Sequence, residues 1–310
     1  MATIHYLSEA VYDARSVVTV GTFDGVHEGH KSIINRVVER ARVKGARSVI
    51  VTFDPHPREV INAGKNPVKL LTTPIERAEI LRDLDVDVMV VIPFDRDFSL
   101  LSSEQFIRDI LYTKIGIMHL VIGYDHQFGK NREGTIDTAR QLAVELGFEV
   151  EVVEAHEVGR VTVSSTTVRM ALEREGDVEH AGRFLGRPYS ISGIVQEGDK
   201  RGRIIGYPTA NIRPDNDRKI IPMNGVYAVR VHVEGELFGG MMNIGYRPTF
   251  RGDRVRVLEV NIFDFNRDIY GKTIRIDFIR RIRDEKKFAS ADELIARLSK
   301  DRADCLNALI

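Results

Sequence analysis

The chain has only one cysteine, Cys305, among its 310 residues. A single thiol can form neither an intrachain disulfide nor a cysteine-based metal cluster, so both are excluded. An excess of charge of one sign is also absent, because 45 basic residues balance 45 acidic ones. Without an overall electrostatic field to attract them, nucleic acids and anionic membranes are not expected partners.

Long apolar runs are missing as well. No segment approaches ~18 uninterrupted apolar residues, and residues 1–12 lack the basic start and apolar centre of a signal peptide. We therefore expect a soluble, cytoplasmic protein. Its hydrophobic content of 43% and charged content of 29% are typical of globular domains, and its length is sufficient for two of them.

The first half of the chain alternates between strand-like and helix-like segments. Segments rich in Val and Ile occur at 47–53, 86–94, 119–124 and 148–155, and amphipathic segments occur at 74–84, 104–114 and 136–146. This alternation predicts a Rossmann-like α/β domain, with a parallel sheet covered by helices on both faces. Ligands of such sheets bind beyond the carboxyl ends of the strands.

The pattern changes near residue 186. Segments with period-two alternation then follow one another through short turns, at 189–196, 225–233, 238–244, 255–263 and 273–280. Short strands without intervening helices predict an antiparallel β-barrel, and residues 291–310 predict a C-terminal helix. We expect a first domain of residues 1–185 and a second of residues 186–310.

Residues 21–30, with the sequence GTFDGVHEGH, follow a β-branched strand and lead into an amphipathic helix. A tight glycine turn at a helix start directs backbone N–H groups and the positive end of the helix dipole at an anion. His27 and His30 add donors there, which suits a nucleotide attacked at its α-phosphate. Two histidines near a helix start are more often capping or surface residues, so this motif alone leaves both interpretations open.

Three further motifs occur where predicted strands end or a helix begins. They are TFDPHP at 52–57, GYDHQFG at 123–129 and SSTTVR at 164–169. Each alone is compatible with an ordinary turn or helix cap. Together they predict one crevice at the carboxyl edge of the sheet. Asp125 and His126 are given no role in it.

These motifs resemble the H-x-G-H signature of the nucleotidyltransferase superfamily and, more specifically, the FAD synthetase module of bacterial bifunctional riboflavin kinase/FAD synthetases. The resemblance implies that His27 and His30 contact the ATP phosphates in catalysis. It also implies a set of substrate-binding residues. They are Gly21, Phe23, Asp24 and Gly29 in the turn at residues 21–30, here called the nucleotide turn, Asp54, Pro55 and Pro57 near FMN, and Ser164, Ser165, Thr166 and Arg169 on the distal phosphates. The reaction implied is FMN + ATP → FAD + pyrophosphate, with Mg²⁺ on the triphosphate.

Residues 198–211, with the sequence GDKRGRIIGYPTAN, carry the main signal of the second half. Glycines allow backbone to approach phosphates closely, and Thr209 and Asn211 offer neutral oxygen ligands that suit Mg²⁺. An ordinary Gly/Pro loop is the alternative. The stretch resembles the G-x-P-T-A-N motif of riboflavin kinases, which implies that it binds ATP and Mg²⁺ through Gly198, Gly202, Gly206, Pro208, Thr209 and Asn211.

Glu259 lies in a period-two segment and shares one strand face with Val257 and Asn261. By itself it is an ordinary solvent-facing glutamate. The riboflavin kinase resemblance instead implies that it is the general base for riboflavin + ATP → FMN + ADP. Val260–Asn261 departs from the family, in which Thr or Ser followed by His is commoner.

The resemblance covers residues 16–300 and implies a bifunctional enzyme whose partners are riboflavin, FMN and ATP. A single-activity enzyme and a flavin-binding regulatory protein are the alternatives. A pure binder would need none of His27, His30, Asn211 and Glu259, so their presence favours the enzyme. We leave open a transient homo-oligomer.

Overall fold

The computed structural model describes residues 3–62, 68–124, 127–130, 133–154, 157–158, 161–198, 201–248 and 254–310. The chain divides into two compact units, Met1–Ser164 and Ser165–Ile310. This division precedes the domain boundary predicted at residue 186, which stays a prediction.

The first unit is built on parallel strands. They are β1 (Thr3–Tyr6), β2 (Ser16–Val20), β3 (Arg47–Asp54), β4 (Val88–Pro93), β5 (Ile117–Gly123) and β6 (Glu149–Val153). Among the described residues these six strands form one sheet in the order β1-β4-β3-β2-β5-β6, with every pairing parallel. A short antiparallel pair follows, β7 (Glu157–Val158) and β8 (Val161–Thr162).

The helices of this unit are α1 (Glu28–Lys44), α2 (Pro57–Ile61), α3 (Pro74–Asp83), α4 (Ser103–Gln105), which continues as π-helical turns over Phe106–Ile115, and α5 (Ile136–Leu146). Their ends follow local chemistry. Thr73 and Glu76 form a capping box at the start of α3, and Gly45 and Gly147 end α1 and α5 in the left-handed conformation. The capping box predicted at Ser102 is also present.

Alternate residues of the sheet contribute to two apolar clusters on opposite faces. Val17 packs with Ile34 of α1 and Leu81 of α3, whereas its neighbour Val18 packs with Leu111 and with Leu142 of α5. Helices therefore cover both faces, and the predicted Rossmann-like architecture is confirmed. The short edge strand β1 was not predicted.

The second unit contains a closed antiparallel barrel. Its strands are β9 (Tyr189–Gln196), β10 (Ala210–Pro214), β11 (Gly225–Val233), β12 (Glu236–Pro248), β13 (Arg254–Ile262) and β14 (Thr273–Arg283). In the described part of the chain they close in the order β10-β13-β12-β11-β14-β9. The predicted barrel is confirmed, and β10 is a further strand for which no prediction was made.

The helices of this unit are α6 (Ser165–Met170), which continues as π-helical turns over Ala171–Glu175, α7 (Val178–Leu185), α8 (Arg201–Ile204) and α9 (Ala291–Leu309). Helix α7 packs on β9 and β14, and α9 packs on β11, β12 and β14. Cys305 of α9 is buried in an apolar cluster with Val226 and Met241. Burial, together with Asp301 and Asp304, raises the pKa of its thiol to about 12, so it is an unreactive core residue.

In the part of the chain that the structure describes, none of the helices combines the length and apolar character needed to span a bilayer.

Candidate active sites

The turn between β2 and α1 is tight and conformationally unusual. Gly21 donates its N–H to the carbonyl of Val51, 3.0 Å away, and Val26 donates to the carbonyl of Phe23 at 3.0 Å. Phe23, Gly25 and Val26 have φ angles of 45°, 88° and 41°. Positive φ is uncommon for Phe and rare for a β-branched residue, so the surrounding contacts must hold this turn in place.

His27 and His30 lie together at the start of α1. His27 is the N-cap residue, and its Nδ1 accepts the backbone N–H of His30 at 3.3 Å. The two rings stack with their centroids 3.6 Å apart, and Phe23 packs edge-on against His30. Because Nδ1 of His27 accepts a hydrogen bond, the neutral ring carries its proton on Nε2 and can donate from there.

Gly29 lies against these rings. A Cβ at Gly29 would be 3.3 Å from the ring of His27, a tight contact to which the ring would have to adjust. The predicted cluster of Phe23, His27, Gly29 and His30 is therefore assembled at the positive end of the α1 dipole.

Asp24 is fully buried, and its carboxylate accepts hydrogen bonds from the segment before α3. It accepts the N–H groups of Leu71 and Thr72 at 2.9–3.1 Å, and its Oδ1 lies 4.0 Å from the guanidinium of Arg77. Thr72 in turn accepts the N–H of Gly25 at 2.9 Å. These contacts join the nucleotide turn to the segment before α3; the nucleotide-binding role of Asp24 stays a prediction.

Arg77 was missed by sequence reasoning, because nothing near it in sequence distinguishes it from a surface arginine on α3. Its side chain is buried, and it donates to Oγ1 of Thr52 at 2.6 Å and to the carbonyl of Thr72 at 3.3 Å. Burial lowers the pKa of the Arg77 guanidinium, and the carboxylates of Asp24 and Asp54 oppose that effect. Arg77 thus links the end of β3 to the nucleotide turn.

The T-F-D-P-H-P motif ends β3, directly beside the nucleotide turn, because β2 and β3 are parallel neighbours. The Asp54–Pro55 peptide bond is cis, and Pro57 is the first residue of α2. Phe53 at this edge packs against Phe94, with ring centroids 5.5 Å apart, and Phe94 packs against Phe98 at the same distance. This half-buried aromatic group was also missed by sequence reasoning.

The S-S-T-T-V-R motif crosses the division between the units. Ser164 is the last residue of the first unit, whereas Ser165, Thr166 and Arg169 lie on α6 in the second. Their predicted contact with the distal phosphates is not tested by this observation. Asp125 and His126 lie outside the described residues.

In the second unit, Gly198 lies directly against Asn211. A Cβ at Gly198 would be 2.0 Å from Nδ2 of Asn211, so any other residue would force that amide to move. At Gly202 a Cβ would be 2.2 Å from the carbonyl of Tyr207, whose N–H donates to the carbonyl of Gly202 at 2.8 Å. Gly206 has a φ of 81°. The glycines predicted to bind ATP therefore shape a tight loop before Pro208 and Thr209.

The barrel register places Glu259 between two asparagines. Glu259 pairs with Asn211 across β10–β13 and with Asn243 across β12–β13. Directly opposed residues point to the same side of a sheet, so these polar side chains form one row. Leu258 and Val260, on the other face of the strand, are buried, as the period-two pattern predicts.

Asn261, two residues from Glu259, contacts the loop itself. Its Nδ2 donates to the carbonyl of Pro208, 2.7 Å away, and the residue is 7% exposed. The loop with the predicted metal ligand Thr209 is therefore fastened to the strand that carries the predicted base.

Comparisons with known proteins match a different family model to each half of the chain. The FAD synthetase family model matches residues 10–167, and the riboflavin kinase family model matches residues 185–309. Proteins described as bifunctional riboflavin kinase/FMN adenylyltransferase are similar along the chain. The one from Listeria monocytogenes is 41% identical over 94% of this chain and 92% of its own, and the one from Escherichia coli is 38% identical over 96% and 94%.

A crystal structure described as a macrolide-efflux protein from Streptococcus pneumoniae is also similar, with a TM-score of 0.87 and 32% identity, covering 98% of this chain and 99% of that one. Because a family model matches half of the chain and relatives above 30% identity match nearly all of it, the chain belongs to the family of bifunctional riboflavin kinases/FMN adenylyltransferases.

Proposed function

We propose that this chain makes FAD from riboflavin in two ATP-dependent steps, with one site in each unit, in the cytoplasm where ATP is supplied. The second-unit site phosphorylates riboflavin to FMN, and the first-unit site transfers AMP from ATP to FMN. The observation that carries this proposal is the presence of two separate polar clusters. One is the His27–His30 pair at the start of α1, and the other is the row of Asn211, Glu259 and Asn243 on the barrel.

In the first site the nucleophile is the phosphate of FMN. A phosphomonoester is already largely ionised near neutral pH, so no general base is needed. Catalysis then depends on placing the two phosphates in line and on stabilising the charge of the departing pyrophosphate. We propose that His27 and His30 donate to phosphate oxygens, with the N-terminal end of α1 adding its partial positive charge.

The flavin of the first site requires an apolar surface at the same edge of the sheet. Phe53, Phe94 and Phe98 offer one at the carboxyl ends of β3 and β4, and we propose that the ring system of FMN packs near them. Asp54, Pro55 and Pro57 are the adjoining turn residues. On the resemblance alone, we also propose that four residues contact the distal phosphates of ATP: Ser164, Ser165, Thr166 and Arg169.

In the second site the nucleophile is the 5′-hydroxyl of riboflavin, which does need a base. We propose that Glu259 accepts its proton as the hydroxyl oxygen attacks the γ-phosphorus and ADP leaves. Asn211 and Asn243 flank the carboxylate and are placed to orient it or the substrate.

The donor chemistry of this site fits Mg²⁺. Thr209 and Asn211 supply neutral oxygen atoms two residues apart, and Glu259 adds a carboxylate beside Asn211. Within the described residues no group of three or more His, Cys, Asp or Glu side chains could hold a metal ion. We propose that a cation held by these few protein oxygens would keep several waters and bind mainly through ATP, whose phosphate charge it would offset.

The direct test incubates the purified chain with riboflavin, ATP and Mg²⁺ and resolves FMN and FAD by chromatography. We expect His27→Ala and His30→Ala each to lower FAD formation by roughly 10²–10³, as for the loss of a transition-state donor, while FMN accumulates.

The reciprocal variant is Glu259→Gln, which should lower riboflavin phosphorylation by about 10²–10⁴ while FAD formation from supplied FMN stays at the wild-type rate. A wild-type chain that binds flavin without turnover would contradict the proposal, as would FAD formation by a His27/His30 double variant at the wild-type rate.

A further inference from the structure

We infer that Asn261 is a positioning residue of the kinase site, which fixes the loop of Thr209 relative to Glu259. The inference rests on the riboflavin kinase activity proposed above, and it assigns to Asn261 neither substrate contact nor proton transfer.

The observation is a single hydrogen bond at a break in the strand ladder. β10 pairs with β13 at Asn211–Glu259 and Ala210–Val260, and the pairing ends there. The residue that continues this register on β13 is Asn261. Its side-chain amide, instead of the backbone, reaches across and donates to the carbonyl of Pro208 at 2.7 Å. The side chain thereby extends the connection between the two strands past the point where the backbone ladder stops.

The two ends of this bond differ in their exposure, because the amide of Asn261 is buried on β13 whereas Pro208 of the loop is exposed. Asn261 is 7% exposed, and its direct neighbour on β12 is Met241. Met241 belongs to the apolar cluster beneath α9, and Tyr207 of the loop packs against the same cluster. Pro208 itself is exposed, so once the amide is removed its carbonyl can turn to water, and the loop is then free to move relative to β13.

Such a movement would change the geometry of the reaction. Thr209 follows Pro208 directly, and Glu259 lies on the same face of β13 as Asn261. One bond therefore connects the proposed metal-binding loop with the strand of the proposed base. Because a displacement of about 1 Å can cost ~10²-fold in rate, loss of this bond should impair phosphoryl transfer without removing any reacting group.

The test compares Asn261→Leu, Asn261→Asp and Asn261→His in the full chain, with riboflavin kinase rates measured across ATP and Mg²⁺ concentrations. Leu and Asp keep the size of the side chain but lack the donor, so we expect kcat/KM for ATP to fall by about 10–100-fold and the Mg²⁺ concentration for half-maximal rate to rise. His carries an N–H donor on a longer side chain, and we expect it to recover most of that loss.

The controls separate positioning from damage to the fold. FMN adenylylation by each variant should stay within about twofold of wild type, because it takes place in the other unit. Val257→Thr changes another residue on the same face of β13 and should leave the Mg²⁺ dependence unaltered.

Wild-type Mg²⁺ and ATP dependence in both Asn261→Leu and Asn261→Asp would overturn the inference, as would a His variant as impaired as the Leu variant. If Asn261→Leu fails to fold, the isosteric Asp variant decides. A wild-type chain without kinase activity would instead refute the proposed function.

Discussion

A side chain at Gly198 would displace the amide of Asn211, which lies directly beside it. A methyl group there would be 2.0 Å from Nδ2 of Asn211, and the amide would have to move. We expect Gly198→Ala to lower riboflavin phosphorylation by about tenfold or more, since Asn211 is displaced from its row with Glu259. FMN adenylylation should be preserved.

Gly182 offers the matched control for this measurement. A Cβ at Gly182 meets its nearest neighbour, the carbonyl of Arg187, at 3.5 Å, an ordinary contact. Gly182→Ala should therefore leave both activities unaltered. Equal kinase rates for the two alanine variants would mean that Asn211 does not act in the kinase site.

Sequence reasoning located those site residues that lie in short, ordered motifs. The cluster of His27, Gly29 and His30 was predictable because a turn brings near neighbours together. Arg77 and Phe98 were not, because their contacts with Thr52 and Phe94 depend on how a helix and a loop pack against the sheet. The burial of Asp24 was likewise invisible, since its partners are 47 and 48 residues away.

At the level of elements, β5 and β6 contain a buried histidine between two carboxylates. His119 Nδ1 lies 3.2 Å from Glu149, and its Nε2 lies 3.3 Å from Glu151. Cationic side chains of α1 face the same carboxylates: Arg36, Arg40 and Lys44. Burial lowers the pKa of His119 despite the carboxylates, which act in the opposite direction.

This shift makes the stability of the first unit depend on pH. The unfolded chain binds a proton at His119 near pH 6.5, while the folded chain binds it only at lower pH. His119 therefore contributes stability above pH 6.5 that is lost as the pH falls through its folded pKa. We expect the urea midpoint to fall between pH 7.5 and pH 5.5, and to fall less in His119→Gln. Parallel pH profiles for the two chains would contradict this.

The elements themselves were predicted well where caps and periodicity agree. The predicted helix at 74–84 is Pro74–Asp83, because Thr73, Pro74 and Glu76 specify its start locally. The short pair β7 and β8 was missed, and β1 and β10 were missed for different reasons. β1 is a short edge strand with mostly exposed side chains, so it lacks an apolar pattern. β10 reads as a Gly/Pro loop, and it becomes a strand because β9 and β13 pair with it on both sides.

At the scale of the whole molecule, the stability of fragments can show whether the second domain begins at residue 165 or at residue 186. Helix α7 lies before the predicted boundary at residue 186, yet Val178, Ala181, Phe184 and Leu185 are buried and the helix packs on β9 and β14. A fragment of residues 186–310 would lack α7. Its free energy of unfolding would fall by roughly 1.5–3 kcal/mol for each large apolar side chain whose burial is lost.

We therefore expect residues 165–310 to fold alone, to phosphorylate riboflavin, and to melt about 10 °C or more above residues 186–310. Circular dichroism melts of the two fragments and their kinase rates provide the comparison. Equal melting temperatures would support the boundary at residue 186 instead.

The pairing of β13 with a neighbour on each side restricts how this protein can change in length. One residue inserted within Arg254–Ile262 would exchange the faces of the strand beyond it, placing Leu258 where Glu259 belongs. Two inserted residues would restore the faces but move the carboxylate away from Asn211. Among homologues we therefore expect insertions and deletions to occur in the connecting loops and not within this strand, however far the amino acids along it diverge.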